Sequence, residues 1–247
     1  MERVLIITHN SFQGSGTLGD CLRSLGVDTH VTNLYKGEEL PDVFDDFSAV
    51  VTLGGAMNAY DDEHYPFLLR ETDFLGRVVE ANIPTLGICL GARLIARACH
   101  APMPGKCGCA RGWQNVFVTD EGRRDILFQG LPRVMQVFQW HEDAMNIPEG
   151  GLHLAATKSC PNQAFRYRNA YGLQFHVEAN RDMLSQWVKD DPERDGLLRT
   201  FDLIEHDFVM QAKALFSNFL WLADIRRRAG GSFEKSRAGV APQKGTD

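Results

Sequence analysis

The stretch Thr85-Leu86-Gly87-Ile88-Cys89-Leu90-Gly91-Ala92-Arg93-Leu94-Ile95-Ala96 restricts the fold more than any other part of the chain. A short apolar strand runs into Gly-x-Cys-x-Gly and then into residues with helical spacing. Glycines on both sides of the cysteine let the backbone turn from strand to helix within a few residues, the geometry of a nucleophile elbow. There the thiol sits at the first turn of a helix, where unpaired N–H groups and the helix dipole favour the thiolate. Taken alone, the stretch also fits a buried cysteine beside a tight βα turn, so the rest of the chain has to decide.

The flanking pattern supplies the architecture. Residues 4–8 are β-branched and aliphatic, as in a strand covered on both faces. A turn over residues 10–16 leads to Leu18, Cys21, Leu22 and Leu25 at helical spacing, with Gly26 placed to end that helix. Strands are expected at 27–33 and at 47–53, the latter ending in Gly54-Gly55, and an amphipathic helix at about 65–80. This alternation predicts an α/β fold: an open, mostly parallel sheet with helices on both faces. In such sheets, sites collect at the carboxyl ends of the strands, which would bring Gly54-Gly55 and Cys89 together.

Beyond residue 100 the character changes. Residues 101–111, broken by prolines and glycines, read as a loop. Short runs at 114–119, 134–140, 152–156, 163–167 and 171–176 predict additional strands, some antiparallel. Helical spacing returns from residue 180, with Met183, Leu184, Trp187 and Val188 on one face, and again over 196–225. Residues 226–247 carry six Lys/Arg against two Asp/Glu and no hydrophobic period, and read as a basic flexible C-terminal tail.

A net charge of −6 argues against a general nucleic-acid binder. No apolar run approaches the roughly 20 residues of a membrane span, and the first residues enter a strand pattern without a signal-peptide layout. The expectation is a cytoplasmic protein with no membrane and no nucleic-acid partner. The six cysteines make a poor disulfide framework for a chain with this much core. Cys99-His100 followed by Cys107-Gly108-Cys109 fits no standard zinc spacing and reads as loop thiols, so no metal and no cofactor is expected.

A catalytic thiol needs a base, a group to orient that base, and donors for an oxyanion. Among eight histidines, His176 stands out within Gln174-Phe175-His176-Val177-Glu178. Strand alternation would put Gln174, His176 and Glu178 on one face and pack Phe175 and Val177. A carboxylate beside the imidazole fixes its tautomer and favours its charged form; the same pair could also be a surface feature of a strand end. Gly54-Gly55 lets backbone N–H groups approach a ligand, so Gly55 and Leu90, the residue after the cysteine, are candidate oxyanion donors.

Together these residues resemble the class I (triad) glutamine amidotransferase family, in particular its stand-alone, GMP-synthase-like branch, which is related to γ-glutamyl peptidases. The resemblance runs from Val4 to about Trp187. Its blocks are Gly54-Gly55-Ala56-Met57-Asn58-Ala59-Tyr60-Asp61, Gly87-Ile88-Cys89-Leu90-Gly91-Ala92, Gly112-Trp113, Gln139-Trp140-His141-Glu142-Asp143, Gln163-Ala164-Phe165 and Tyr171-Gly172-Leu173-Gln174-Phe175-His176-Val177-Glu178. It implies one amidotransferase-like domain over residues 1–225. It also implies Cys89 as nucleophile, His176 as base and then acid, Glu178 as its orienting carboxylate, and main-chain N–H groups of Gly55 and Leu90 as oxyanion donors.

The implied reaction is cleavage of a γ-glutamyl amide, in glutamine or another γ-glutamyl compound, through a γ-glutamyl thioester on Cys89. His141 matches a segment that borders the substrate pocket in relatives. Arg93 stands where relatives usually have glutamine; four residues after Cys89, it shares that helix face, and its fixed charge favours a substrate carboxylate. Glu142 replaces a glycine common in relatives. No Gly-rich ATP-binding loop is visible, so the expected partner is a small γ-glutamyl substrate, with any ammonia-accepting synthetase a separate chain. A non-catalytic binding or regulatory protein that keeps the fold is the competing expectation.

Overall fold

Strand β1 (Arg3–Thr8) alternates between two hydrophobic layers. Val4 and Ile6 join one buried cluster, whereas Leu5 and Ile7 join another. That is why four aliphatic residues stand in a row: the sheet is covered on both sides. The computed structural model describes residues 2–102 and 106–225, with the backbone alone for residues 106, 107 and 109. The basic tail expected at 226–247 lies outside the described residues.

After β1 come α1 (Gly16–Ser24), β2 (Asp28–Asn33), β3 (Ala49–Thr52), α2 (Phe67–Glu80), β4 (Thr85–Ile88) and α3 (Leu90–Ala98). The second half holds β5 (Lys106–Val118), α4 (Asp120–Arg124), β6 (Val134–Asp143), β7 (Leu152–Ala156), β8 (Ala164–Tyr167), β9 (Ala170–Leu173), α5 (Arg181–Trp187) and α6 (Arg194–Leu222). The strands form one nine-stranded sheet in the order β2-β1-β3-β4-β9-β8-β7-β5-β6. From β2 to β9 neighbouring strands are parallel; from β9 to β6 they are antiparallel. Helices α1 and α6 pack on one face, and α2 and α3 on the other. The expected α/β architecture, including its additional antiparallel strands, is the one observed.

Two expectations need correction. Residues 101–111 are not all loop, because β5 begins at Lys106 and pairs with β6 up to Asp143. Left-handed backbone at Gly108 (φ 85°) and Gly112 (φ 84°), with a register shift between Lys106 and Ala110, breaks the alternation that would have marked a strand. The last parallel strand, expected to reach residue 176, ends at Leu173. His176 then forms a single antiparallel bridge to Phe138 of β6. Among the described residues, no helix is long and apolar enough to cross a membrane.

Helix α2 carries one residue its pattern does not explain. Leu68, Leu75, Val78 and Val79 line its buried face at helical spacing, and Glu71 sits among them fully buried. A buried carboxylate is stable only with partners, and they lie at the site.

Candidate active site

Strands β1, β3, β4 and β9 are consecutive in the sheet, and each hands a different group to the same edge. His9 follows β1, Gly54-Gly55 follow β3, Cys89 follows β4, and residues 174–178 follow β9. The strand order reverses between β1 and β3, the kind of switch point where open α/β sheets form their clefts.

Cys89 has φ 53° and ψ −104°, between the last residue of β4 and the first of α3. A positive φ is strained for a residue with a Cβ and persists only where its surroundings impose it. Here they do. The Cys89 N–H donates to the Leu173 carbonyl at 2.7 Å, and the Arg93 N–H reaches back to the Cys89 carbonyl at 3.2 Å. Both flanking glycines are places of close backbone approach. A Cβ on Gly87 would stand 2.5 Å from the Gly91 carbonyl group, and one on Gly91 would stand 2.1 Å from the Thr52 carbonyl oxygen. The turn expected from sequence thus exists and is held by backbone contacts on both sides.

Cys89 is only 2 % exposed. Its Sγ lies 3.8 Å from Gln174 Nε2 and 3.9 Å from the Trp140 carbonyl oxygen. His176 is fully buried, with its ring edge against Trp187 (centroids 4.8 Å apart). Its Nδ1 is 2.6 Å from Glu178 Oε1, and Glu178 Oε2 accepts the Val177 N–H at 3.0 Å. That leaves Nε2 buried without a hydrogen-bond partner among the described residues. Burial favours the neutral imidazole, but the charges of Glu178 and Cys89 outweigh it and raise the His176 pKa. The thiol responds in reverse. Burial pushes the Cys89 pKa up, the charge of nearby His176 pulls it down, Arg93 adds to that pull, and the net shift is downward. Both shifts favour the thiolate–imidazolium form of the pair.

Next to this pair, and sharing Trp140 and Trp187 with it, lies a cleft of about 530 Å³, lined also by Gly55, Asn58, Arg93, His141 and Asp143. Gly55 is packed so closely that a Cβ there would be 2.5 Å from Leu90 Cδ2, which puts the two expected oxyanion residues side by side. Arg93, 6 % exposed, donates from Nη1 to Asp143 Oδ2 at 2.6 Å, and Asn58 Nδ2 donates to the same oxygen at 2.8 Å. His141 also lines the cleft, but both its nitrogens are engaged: Nε2 with Gln139 Oε1 at 2.9 Å and Nδ1 with the Asp143 carbonyl at 3.1 Å. Burial is the largest cause of its pKa being pushed down to about 4, so its ring is neutral at pH 7. Of the seven residues singled out from sequence, Gly55, Arg93 and His141 line this cleft and Leu90 packs against Gly55, whereas Cys89, His176 and Glu178 are buried and do not line it. Among the described residues no group of three or more His, Cys, Asp or Glu is placed to hold a metal ion.

With that geometry in place, comparison with known proteins decides the family. The family described as "Glutamine amidotransferase class-I" matches residues 9–188.

The chain belongs to the class I glutamine amidotransferase family.

The glutamine amidotransferase-like protein YfeJ of Salmonella typhimurium is 29% identical over 180 residues, covering 71% of this chain and 75% of that protein. A glutamine-hydrolysing GMP synthase subunit from Archaeoglobus fulgidus is 32% identical over 178 residues, covering 70% of this chain and 88% of that protein. The crystal structure of a glutamine amidotransferase from Thermotoga maritima superposes with a TM-score of 0.81 at 31% identity, covering 89% of this chain and 98% of that one.

Within this class I amidotransferase fold, three features of the site were not read from the sequence. Asp143 comes from the end of β6 to meet Arg93, and Gln174 reaches the sulfur. His9 and Glu71 meet at 2.8 Å behind Gly54, across 62 residues of sequence. Only an apolar-period helix interrupted by a glutamate hinted at the last pair.

Proposed function

We propose that this protein is a thiol amidohydrolase that cleaves a γ-glutamyl amide bond. The observation that carries the reading is Cys89 in a strained elbow conformation, electrostatically coupled to a buried His176–Glu178 pair whose Nε2 is unpartnered among the described residues. Family membership and the relatives named above support the same chemistry.

In this reading the Cys89 thiolate attacks the δ-carbon of the γ-glutamyl amide. The N–H groups of Gly55 and Leu90 stabilise the negative charge that develops on the amide oxygen. His176, already protonated, gives its Nε2 proton to the departing ammonia or amine as the C–N bond breaks, leaving a γ-glutamyl thioester. Neutral His176 then takes a proton from water, whose oxygen adds to the thioester carbonyl. The C–S bond breaks, and glutamate and the Cys89 thiolate are regenerated. Glu178 holds the ring with Nε2 towards the sulfur and stabilises its charge throughout.

The substrate choice turns on Arg93. A guanidinium held by Asp143 in the cleft wall suits a substrate with an additional carboxylate better than it suits free glutamine. This favours a free-standing hydrolase of γ-glutamyl peptides or amines. The alternative is a glutaminase that delivers ammonia to a separate synthetase chain, as its likeness to one part of a GMP synthase suggests. Glutamate release from glutamine and from a panel of γ-glutamyl peptides and amines, using wild type and Cys89→Ala, separates the two. Release by wild type alone supports the proposal, and the preferred substrate chooses the version. A Cys89→Ala variant that hydrolyses the panel as fast as wild type refutes the mechanism. A wild type inert towards the whole panel, with and without candidate synthetases, favours a binding or regulatory protein.

A further inference from the structure

Behind the Gly54-Gly55 turn lies a polar cluster sealed from solvent, with no part in the chemistry above. His9 and Glu71 are both fully buried. His9 Nε2 is 2.8 Å from Glu71 Oε2, and His9 Nδ1 is 3.1 Å from the Gly54 carbonyl oxygen. The second carboxylate oxygen of Glu71 accepts the Thr52 hydroxyl at 2.6 Å. Phe67 stacks along the His9 ring with centroids 6.2 Å apart. Each ring nitrogen thus faces an acceptor. A neutral imidazole has one N–H and would leave a lone pair against one of those oxygens; unlike at His141, where both acceptors are uncharged, one of the two here is the buried Glu71 carboxylate, which favours the imidazolium.

The carbonyl that His9 holds belongs to the peptide unit whose N–H is that of Gly55. In a planar trans peptide the C=O and N–H point in opposite directions, and no cis peptide occurs among the described residues. A hydrogen bond to the Gly54 oxygen therefore sets the direction of the Gly55 N–H, and a charged donor polarises the amide and strengthens that N–H as a donor. Contact reinforces the constraint, since a Cβ on Gly55 would stand 3.0 Å from His9 Cβ.

We propose that His9, held by Glu71, is a positioning residue that orients and polarises the Gly54–Gly55 peptide so that its N–H meets the developing oxyanion. The inference rests on the role proposed above for Gly55. The charged ring agrees with the balance at His9: burial disfavours the charge, Glu71 and the Gly54 and Leu53 carbonyls favour it, and the net shift is upward. The alternative is a core histidine that fills space and satisfies Glu71.

The test uses the full chain and two variants. His9→Leu/Glu71→Gln removes both charges together, leaving no unpaired carboxylate in the core, whereas His9→Asn can keep an N–H near the Nδ1 position. Hydrolysis of γ-glutamyl p-nitroanilide requires the oxyanion donors; alkylation of Cys89 by iodoacetamide, a displacement at a saturated carbon, does not. The double variant is expected to lose kcat by about 10²-fold with KM changed less than about twofold, as for loss of an oxyanion donor. Its alkylation rate should stay near wild type, and His9→Asn should recover most of the lost kcat. A double variant with wild-type kcat, or one whose alkylation rate falls as far as its kcat, overturns the proposal. The ring itself is read by ¹⁵N NMR of the wild type at about pH 8, above the usual histidine pKa. Two protonated nitrogens on His9 are expected, and a neutral ring overturns the proposal whatever the turnover. A wild type that is alkylated at Cys89 but cleaves no γ-glutamyl compound contradicts the proposed function instead, and the NMR result then decides the state of His9.

Discussion

Nδ1 of His176 and Oε1 of Glu178 lie 2.6 Å apart, with both side chains withdrawn from water. In so dry a setting the carboxylate governs which nitrogen of the ring carries hydrogen and how much charge the ring can bear. Glu178→Gln keeps the shape, removes the charge and lets the ring adopt the wrong tautomer. It is expected to lower kcat on a γ-glutamyl substrate by on the order of 10²–10⁴-fold, with the thermal transition little changed. Steady-state kinetics beside a melting curve check it, and wild-type kcat removes Glu178 from the mechanism.

The pH dependence of the thiol follows from the same pair. The Cys89 pKa is lowered, so its thiolate persists below the pH at which an ordinary thiol protonates; the His176 pKa is raised, so the imidazolium persists above the ordinary histidine range. The rate of Cys89 alkylation by iodoacetamide should therefore hold to lower pH than that of an ordinary thiol before it declines. In His176→Ala the main cause that lowers the thiol pKa is gone while burial and the pull of Arg93 remain, so the profile moves upward in pH. Identical profiles in the two proteins would show that His176 does not act on the sulfur.

Arg93 and Asp143 form a pair in the cleft wall, 6 % and 18 % exposed at their side chains. Arg93→Gln exchanges a fixed charge for an amide and is expected to shift the kcat/KM ratio towards free glutamine and away from γ-glutamyl peptides by about tenfold or more. Competition between the two substrates in one assay reads the ratio directly. An unchanged ratio removes Arg93 from substrate selection.

The elbow glycines and a helix glycine should behave oppositely. Gly91→Ala puts a methyl group 2.1 Å from the Thr52 carbonyl oxygen, a backbone atom that cannot swing away. It should destabilise the fold by about 1–3 kcal/mol or more. Gly76→Ala in α2 meets nothing closer than the Ala98 carbonyl at 3.7 Å and should stabilise by about 0.5–1 kcal/mol. Chemical denaturation of both variants checks the contrast.

What was readable in the sequence is what local periodicity encodes. The strand, turn and helix around Cys89 span a dozen residues, and their glycines and apolar spacing announce them. His176 and Glu178 are two residues apart, so their meeting needed only local alternation, although the strand ends at Leu173 and a bridge to Phe138 does part of the work expected of it. His9 with Glu71, and Arg93 with Asp143, are separated by 62 and 50 residues, and no local pattern records such pairings. Strand β5 was hidden because Gly108 and Gly112 adopt left-handed backbone and break the alternation. The charged residues that tune the site were thus the least legible, because their partners are chosen by strand order and not by neighbouring sequence.

The most direct measurement is mass spectrometry of the acid-quenched enzyme during turnover of a γ-glutamyl substrate. A γ-glutamyl group on the peptide containing Cys89, formed and lost at rates compatible with turnover and absent in Cys89→Ala, is the result the thioester mechanism predicts. Continued turnover with no acyl group on Cys89, or with Cys89 replaced by alanine, would contradict it.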